Sequence, residues 1–337
     1  MPANIASTNG VYNAMYVGQR PWHGLGVVVD DAKTPEEAME LAGTNYEVIP
    51  AEVAVKIDGE WVETADHVAN VRDDTKAILG IVAPGYKRIQ NITPMRFLNK
   101  IVGTGQAGIV AHFALGKGER LAAVLDLRRL RDIKIPTDES AYEQFIVAQW
   151  WHTGTGAFTV TPSMIRVDCQ NMADANLLRS EQSGKVVRVL HTGNVEASLE
   201  EAQRVLGFAE VSIDNFARLM TAFAETPLPS PTDSWISEFT ERLIPIPADM
   251  DRPAIRVKAR LAIRDLFESS KTLTGVPDSA YRAFQSVTEY ADHYRPLRTS
   301  QPALVPARRF ASSIDGPAAS LKANAARLLR EEFEITA

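Results

Sequence analysis

The residues of this chain best suited to chemistry are its histidines, its only cysteine and a pair of adjacent tryptophans. Trp150 and Trp151 lead into His152-Thr-Gly-Thr-Gly156, a glycine-punctuated turn, and Cys169 closes the run that follows. A thiolate beside an imidazole would be a nucleophile, with His152 or His191 as base and Asn171 or Asn194 to orient it. His23 joins His152, Cys169 and His191 as the catalytic candidates. The competing role of Cys169 is that of a small buried hydrophobe at a strand end. His23, His152, His191 and Asp168 share no short ligand spacing of the kind metals require. Glu289 and His293, four apart on a helix, are the weak metal candidates, although such a pair is more often a solvated hydrogen bond.

Gly103-Thr-Gly-Gln-Ala-Gly108 matches a dinucleotide-binding pattern on paper. That pattern needs a strand before it and a helix after it, and here the order is reversed. The chain holds no GxxxxGK[ST] loop either, so no cofactor is expected.

Charge supplies a different chemistry. Residues 1–75 hold 4 Lys/Arg against 13 Asp/Glu, whereas residues 76–135 hold 11 Lys/Arg against 3 acids. Such a change of sign predicts a positive face or groove, unless the two segments simply pair across a sheet. Lys87, Arg88, Lys117, Arg128, Arg129, Arg131 and Lys134 are the candidate phosphate contacts. Trp150 and Trp151 are the candidate stacking platforms, since single-strand binders combine a positive groove with aromatic rings. Being neighbours on a strand, the two must face opposite sides, one toward a core and one outward.

The elements that must position these residues are mostly hairpins. Tyr46–Ile57 and Trp61–Val71 flank Asp58-Gly59, the strongest short hairpin signal. Lys76–Ala83 and Tyr86–Ile89 are further β runs. Gly108–Leu115 and Arg120–Leu127 turn on Gly116-Lys117-Gly118, and Glu143–Trp151 with Ala157–Cys169 forms the hairpin whose tip is the histidine turn. Thr34-Pro35 with Glu37 opens a helix that Gly43 stops. Thr93-Pro94 opens another, over Met95–Val102. A helix is expected from Asn171 and a short strand over Lys185–Leu190. From Asn194 the periodicity becomes helical, with helices expected over Asp233–Leu243, Pro253–Ser270, Asp278–Tyr294 and Pro317–Phe333. The class is therefore α+β: a mainly antiparallel β-sheet half with interspersed helices, followed by an all-helical C-terminal half. We divide it into a β-rich domain over 1–193 and a helical domain over 194–337 with a proline-rich linker at 226–231.

Bulk composition agrees with this. At 337 residues with 45% hydrophobic and 23% charged content, the chain has the makeup of a soluble globular protein. No apolar run approaches the ~20 residues of a membrane span, so no membrane partner is expected. The N-terminus lacks a basic start and an apolar core, and a single cysteine fits a reducing compartment, so the expected location is the cytoplasm.

Several motifs occur together in order: PWHGLG at 21–26, TPEEAMELAG at 34–43 followed by NYEV, HTGTG at 152–156, RVDCQN at 166–171, HTGNVE at 191–196 and VTEYADHYRP at 287–296. In these the chain resembles the phage/plasmid-like proteins of a domain-of-unknown-function family found in mobile elements. The family usually has His-Asp-Gly-Ser at the central turn, where this chain has Thr153 in place of the aspartate. It usually has Cys-Gln-Asn-Thr where Met172 here follows Asn171. The resemblance implies a mobile-element context and no defined activity. Together with the charge map it gives the leading expectation: a DNA-binding protein for single strands, acting in recombination, annealing or replication, and able to form a homo-oligomer. The alternatives are an enzyme with a His/Cys site at one end of the sheet and a protein that binds a host factor in counter-defence. On this reading the histidine turn is the structural centre of the β half, with a polar tip that could still act.

Overall fold

A computed structural model describes residues 5–18, 25–31, 33–103, 107–127, 132–154, 158–166, 171–174, 187–188, 195–251, 253–297, 309, 312–313 and 316–336, with backbone alone for 171–174, 187–188 and 195–202. Thirteen strands are described: β1 (Ser7–Thr8), β2 (Val11–Tyr12), β3 (Ala14–Val17), β4 (Val27–Val29), β5 (Val48–Ile57), β6 (Glu60–Arg72), β7 (Ile78–Val82), β8 (Gly108–Leu115), β9 (Arg120–Asp126), β10 (Tyr142–Trp151), β11 (Thr159–Arg166), β12 (Asn171–Asp174) and β13 (Val187–Arg188). The main sheet runs β12-β11-β10-β9-β8-β3-β4, with β13 also on β11; β5-β6-β7 form a second sheet and β1-β2 a small third. Among the described strands only the β3–β4 pair is parallel. The helices are α1 (Pro35–Leu41), α2 (Ile92–Val102), α3 (Val195–Ala224), α4 (Thr232–Leu243), α5 (Ala254–Ser269), α6 (Ala280–Glu289) and α7 (Pro317–Glu332). This is the α+β arrangement expected, strands first and helices mostly after.

Local signals act where the residues place them. The hydroxyl of Thr34 accepts from the backbone of Glu37, and the Glu37 carboxylate accepts from the backbone of Thr34, which is the reciprocal cap that starts α1. Asp58 and Gly59 both take positive φ, 50° and 92°, as a two-residue turn between twisted strands demands. The register places Trp150 opposite Leu121 and Trp151 opposite Arg120, so the period of two separates the tryptophans onto opposite faces.

Two expectations fail. Asn171–Asp174 is not the start of a helix but a strand, paired antiparallel with Ser163–Arg166. Cross-strand pairing with β11 sets the conformation here. No strand forms over 86–89. The place beside β5 where one could pair is taken by a side chain instead: the Gln90 amide accepts from Val48 N–H at 2.9 Å and donates to its carbonyl at 3.0 Å.

The helices lie against one face of the main sheet. From that face come Leu121, Ala123, Leu125, Ile146, Ala148, Trp150 and Met164; from the helices come Phe97, Phe216, Phe223, Tyr281 and Phe284, in one continuous apolar cluster. α3 supplies Val205, Ala209, Ile213, Phe216, Met220 and Phe223, a stripe at helical spacing. The opposite face carries a separate, smaller cluster of Ala14, Tyr16, Ala111, Phe113 and Ala122. It ends in residues that are only half-buried.

Candidate functional site

The described start of the histidine turn, His152 to Gly154, is held by contacts from several elements. Trp150 is fully buried and His152 is 2% exposed. Both donate to one oxygen: Trp150 Nε1 reaches Asn91 Oδ1 at 3.1 Å and His152 Nε2 reaches it at 2.7 Å. The Asn91 amide in turn donates to the carbonyl of Thr44 at 2.9 Å. Since an amide oxygen can only accept, His152 carries its proton on Nε2. The carbonyl of His152 accepts from Asn70 of β6 at 2.8 Å. Burial pushes the His152 pKa down from 6.5 to about 4, so the ring is neutral at physiological pH.

A second buried histidine completes the hub. His112 of β8 stacks on Trp150 with ring centroids 5.6 Å apart. Its Nδ1 donates to the carbonyl of Ala122 at 3.0 Å, which leaves Nε2 to accept from the Thr44 hydroxyl at 2.7 Å. Burial depresses its pKa, too, to about 4. The second sheet presses on the tip of the turn. A Cβ on Gly80 would come within 2.6 Å of Thr153 Cα and 2.8 Å of the His152 carbonyl, both backbone atoms that cannot swing away. We therefore expect Gly80→Ala to cost about 1–3 kcal/mol, the usual range for overpacking, read as a lower midpoint in thermal unfolding. An unchanged midpoint would mean that β7 is free to shift away from the turn.

These bonds decide what the turn does. His152 is enclosed and committed to Asn91, so it is not placed to exchange a proton with a substrate arriving from solvent. His23, Cys169 and His191 lie outside the described residues. Asn171 is described as backbone only, and Asn194 not at all. Glu289 is buried, its carboxylate accepting from the hydroxyls of Ser270 at 2.7 Å and Thr272 at 2.8 Å, while His293 is exposed on a π-helical turn, Tyr290–Tyr294. Among the described residues no three His, Cys, Asp or Glu side chains gather as metal ligands.

The other face of the main sheet is the one that could meet a ligand. Trp151 is half-buried there, and the guanidinium of its cross-strand neighbour Arg120 lies 5.3 Å from its ring centre. Arg120 is also hydrogen-bonded to Gln149, which fixes the guanidinium against the ring. Lys117, in the turn between β8 and β9, is exposed at the same end of the sheet. Its carbonyl accepts from the buried Arg72 at 3.0 Å, and the Tyr46 hydroxyl donates to the next carbonyl, Gly118, at 2.6 Å. Lys87 is exposed and Arg88 half-buried, both just before the Gln90 that braces β5. Lys134 is exposed in a loose pair with Asp132 at 3.6 Å, beside an open cleft of about 700 Å³ against α3 that Arg218, Asp214 and Glu225 also line. Arg128, Arg129 and Arg131 lie outside the described residues. Trp150, by contrast, has no face left for a base, because His112 and the core take both sides of its ring. Arg120 was countable in the basic block, but only the strand register shows it sitting on Trp151. Asn91 and Asn70 had no sequence signal beyond their type.

The structure thus defines an α+β protein with helices on one face of an antiparallel sheet and a partly open second face. The chain belongs to a family described as a domain of unknown function (DUF932), whose model matches residues 78–312 and so takes in most of the sheet and most of the helices. No curated protein and no solved structure matches it. No helix among the described residues is long and apolar enough to cross a membrane.

Proposed function

We propose that this is a phage/plasmid-type protein that binds single-stranded DNA on the sheet face turned away from the helices, in the recombination, annealing or replication of a mobile element. The observation that carries the reading is the Trp151–Arg120 pair, half-exposed beside Lys117 at one end of that face. A base stacks on an aromatic ring whatever its sequence, and a guanidinium held over the same ring adds a cation to the platform. Lys117 and Lys87 meet phosphates, joined by Arg128, Arg129 and Arg131, which follow β9 in the sequence. A helical face packed shut and a sheet face carrying one aromatic platform is an arrangement that reads backbone and stacking rather than base edges.

The test is fluorescence anisotropy of a labelled oligonucleotide over a salt series. Binding is expected to weaken steeply with salt, and Lys117→Glu is expected to weaken it and flatten the slope. Charge reversal at Arg128 and Arg129 is expected to weaken it further. Trp151→Ala removes a stack worth about 1–3 kcal/mol, roughly a five- to hundredfold loss of affinity. No binding at low salt would sink the proposal, and full binding by Trp151→Ala would sink the assignment of the platform.

A further inference from the structure

The hairpin of β5 and β6 leaves the body as a two-stranded arm. Ala54 to Ile57 are exposed throughout, as are Glu60 to His67 apart from Thr64. Four large apolar side chains stand in solvent there: Val55 at 49%, Ile57 at 53%, Trp61 at 70% and Val62 at 46%. Two-stranded ribbons are marginal in water alone, and β5 is also the outer edge of its sheet. A long apolar edge strand is a template for another strand unless something covers it.

The free edge can be read residue by residue. Gln90 bonds both the N–H and the carbonyl of Val48, so the backbone groups of Val48 point away from β6, toward the edge. Strand alternation turns those of Pro50, Glu52, Ala54 and Lys56 the same way. The irregularity between Glu52 and Val53 leaves its extra residues on β6, so β5 itself runs on without interruption. Pro50 offers no N–H, which confines new pairing to Glu52, Ala54 and Lys56. Neither Glu52 nor Lys56 has an ion pair on its own chain among the described residues; Lys56 lies 5.9 Å from the Trp61 ring centre.

We propose that this edge is covered by β5 of a second copy of the chain, running antiparallel about a two-fold axis at Ala54. In that register Ala54 meets its own mate, Glu52 meets the partner's Lys56, and Lys56 meets the partner's Glu52. On the other face Val53 meets the partner's Val55, and Ile57 meets the partner's Ala51. Charge favours this register, which pairs Glu52 with Lys56 twice: moving the axis to Glu52 or Lys56 would set like charges directly opposite, which is destabilising. Net charge also rules out one other occupant. The arm carries Glu52, Asp58, Glu60, Glu63 and Asp66 against Lys56 alone, so it repels nucleic acid. Because the pairing is isologous it closes as a dimer and does not grow into a filament.

Sedimentation velocity of the full chain tests this. A dimer is expected through the micromolar range. Ala54→Pro removes the N–H at the axis, and because that group faces outward the variant should keep its circular dichroism while dimerisation weakens at least about tenfold. Glu52→Lys and Lys56→Glu are each expected to weaken it, and the two together to restore it. This charge swap stands even if Ala54→Pro disturbs the arm. A monomer at all concentrations overturns the proposal. So does a dimer that neither Ala54→Pro nor the single charge reversals weaken, or an arm that holds a different protein instead of a second copy.

Discussion

Lowering the pH through the window between 6.5 and about 4 is expected to strip several kcal/mol from the stability of the fold, because His112 and His152 stay neutral in the folded chain down to about 4. In both cases burial is the leading cause, and it lowers the folded pKa below the unfolded value. The unfolded chain therefore takes up a proton first. Above 6.5 neither state is protonated at these rings and their contribution is intact; it shrinks as the pH falls and is gone once both states are protonated. Across most of that window each histidine gives a slope of about 1.4 kcal/mol per pH unit, and two give roughly twice that. Urea unfolding at a series of pH values measures the slope directly. His112→Asn, whose amide can still reach the Ala122 carbonyl, should remove about half of it. A flat profile would mean that these imidazoles are hydrated in the folded protein, against the 2% exposure of His152 and the complete burial of His112.

The same two histidines mark what the residues alone could and could not tell. The hairpins, the cap at Thr34, the tight turn at Asp58-Gly59 and the helices of the C-terminal half are local matters, decided by spacing and turn chemistry, and they are found where that chemistry puts them. That the tryptophans part to opposite faces follows from the period of two. Which one turns inward does not, because it depends on helices far away in the chain, both before and after the tryptophans, that cover one face. The role of the histidine turn depends on pairings far apart in sequence: Asn91 from the start of α2, Asn70 from β6 and Gly80 from β7. A histidine beside two glycines has the same appearance in a catalytic loop and in a buried hub, and only the third dimension separates them. The pairing of Arg120 with Trp151 is of the same kind, invisible until the register is known. The strand at Asn171–Asp174 was missed because its reason is a neighbour, β11, rather than its own periodicity.

Loss of the Asp138 carboxylate should be the most damaging single polar change in the described structure. Asp138 lies between β9 and β10, its side chain 2% exposed, as is that of its partner Arg166 on β11. Two donors of Arg166 reach the carboxylate at 2.8 Å each, and the backbone N–H of Ser140 reaches it at 3.0 Å. Tyr281 of α6 donates its hydroxyl to the same carboxylate. The chain of donors continues outward, with Tyr142 O–H bonded to the Tyr281 oxygen at 2.6 Å and Gln285 Nε2 donating to Tyr142 at 2.9 Å. Arg166 also reaches the Thr272 carbonyl at 2.9 Å, so one buried ion pair joins the sheet to the helical half at two places, Tyr281 and Thr272. Burial alone would raise the Asp138 pKa; Arg166 and Tyr281 outweigh it and hold the carboxyl below its ordinary value. Its contribution is therefore present at neutral pH and is lost only in acid, as the pH falls through the depressed folded pKa. Asp138→Ala strands the Arg166 guanidinium in the interior, which typically costs about 3–5 kcal/mol. The exposed pair of Arg96 with Glu36, at 3.3 Å, is the control, since Arg96→Ala at such a site costs about 0–1 kcal/mol. Denaturant unfolding of both variants decides the matter. A cost for Asp138→Ala as small as that of Arg96→Ala would mean that water reaches Arg166, and that the sheet and the helices are held together by the apolar core alone.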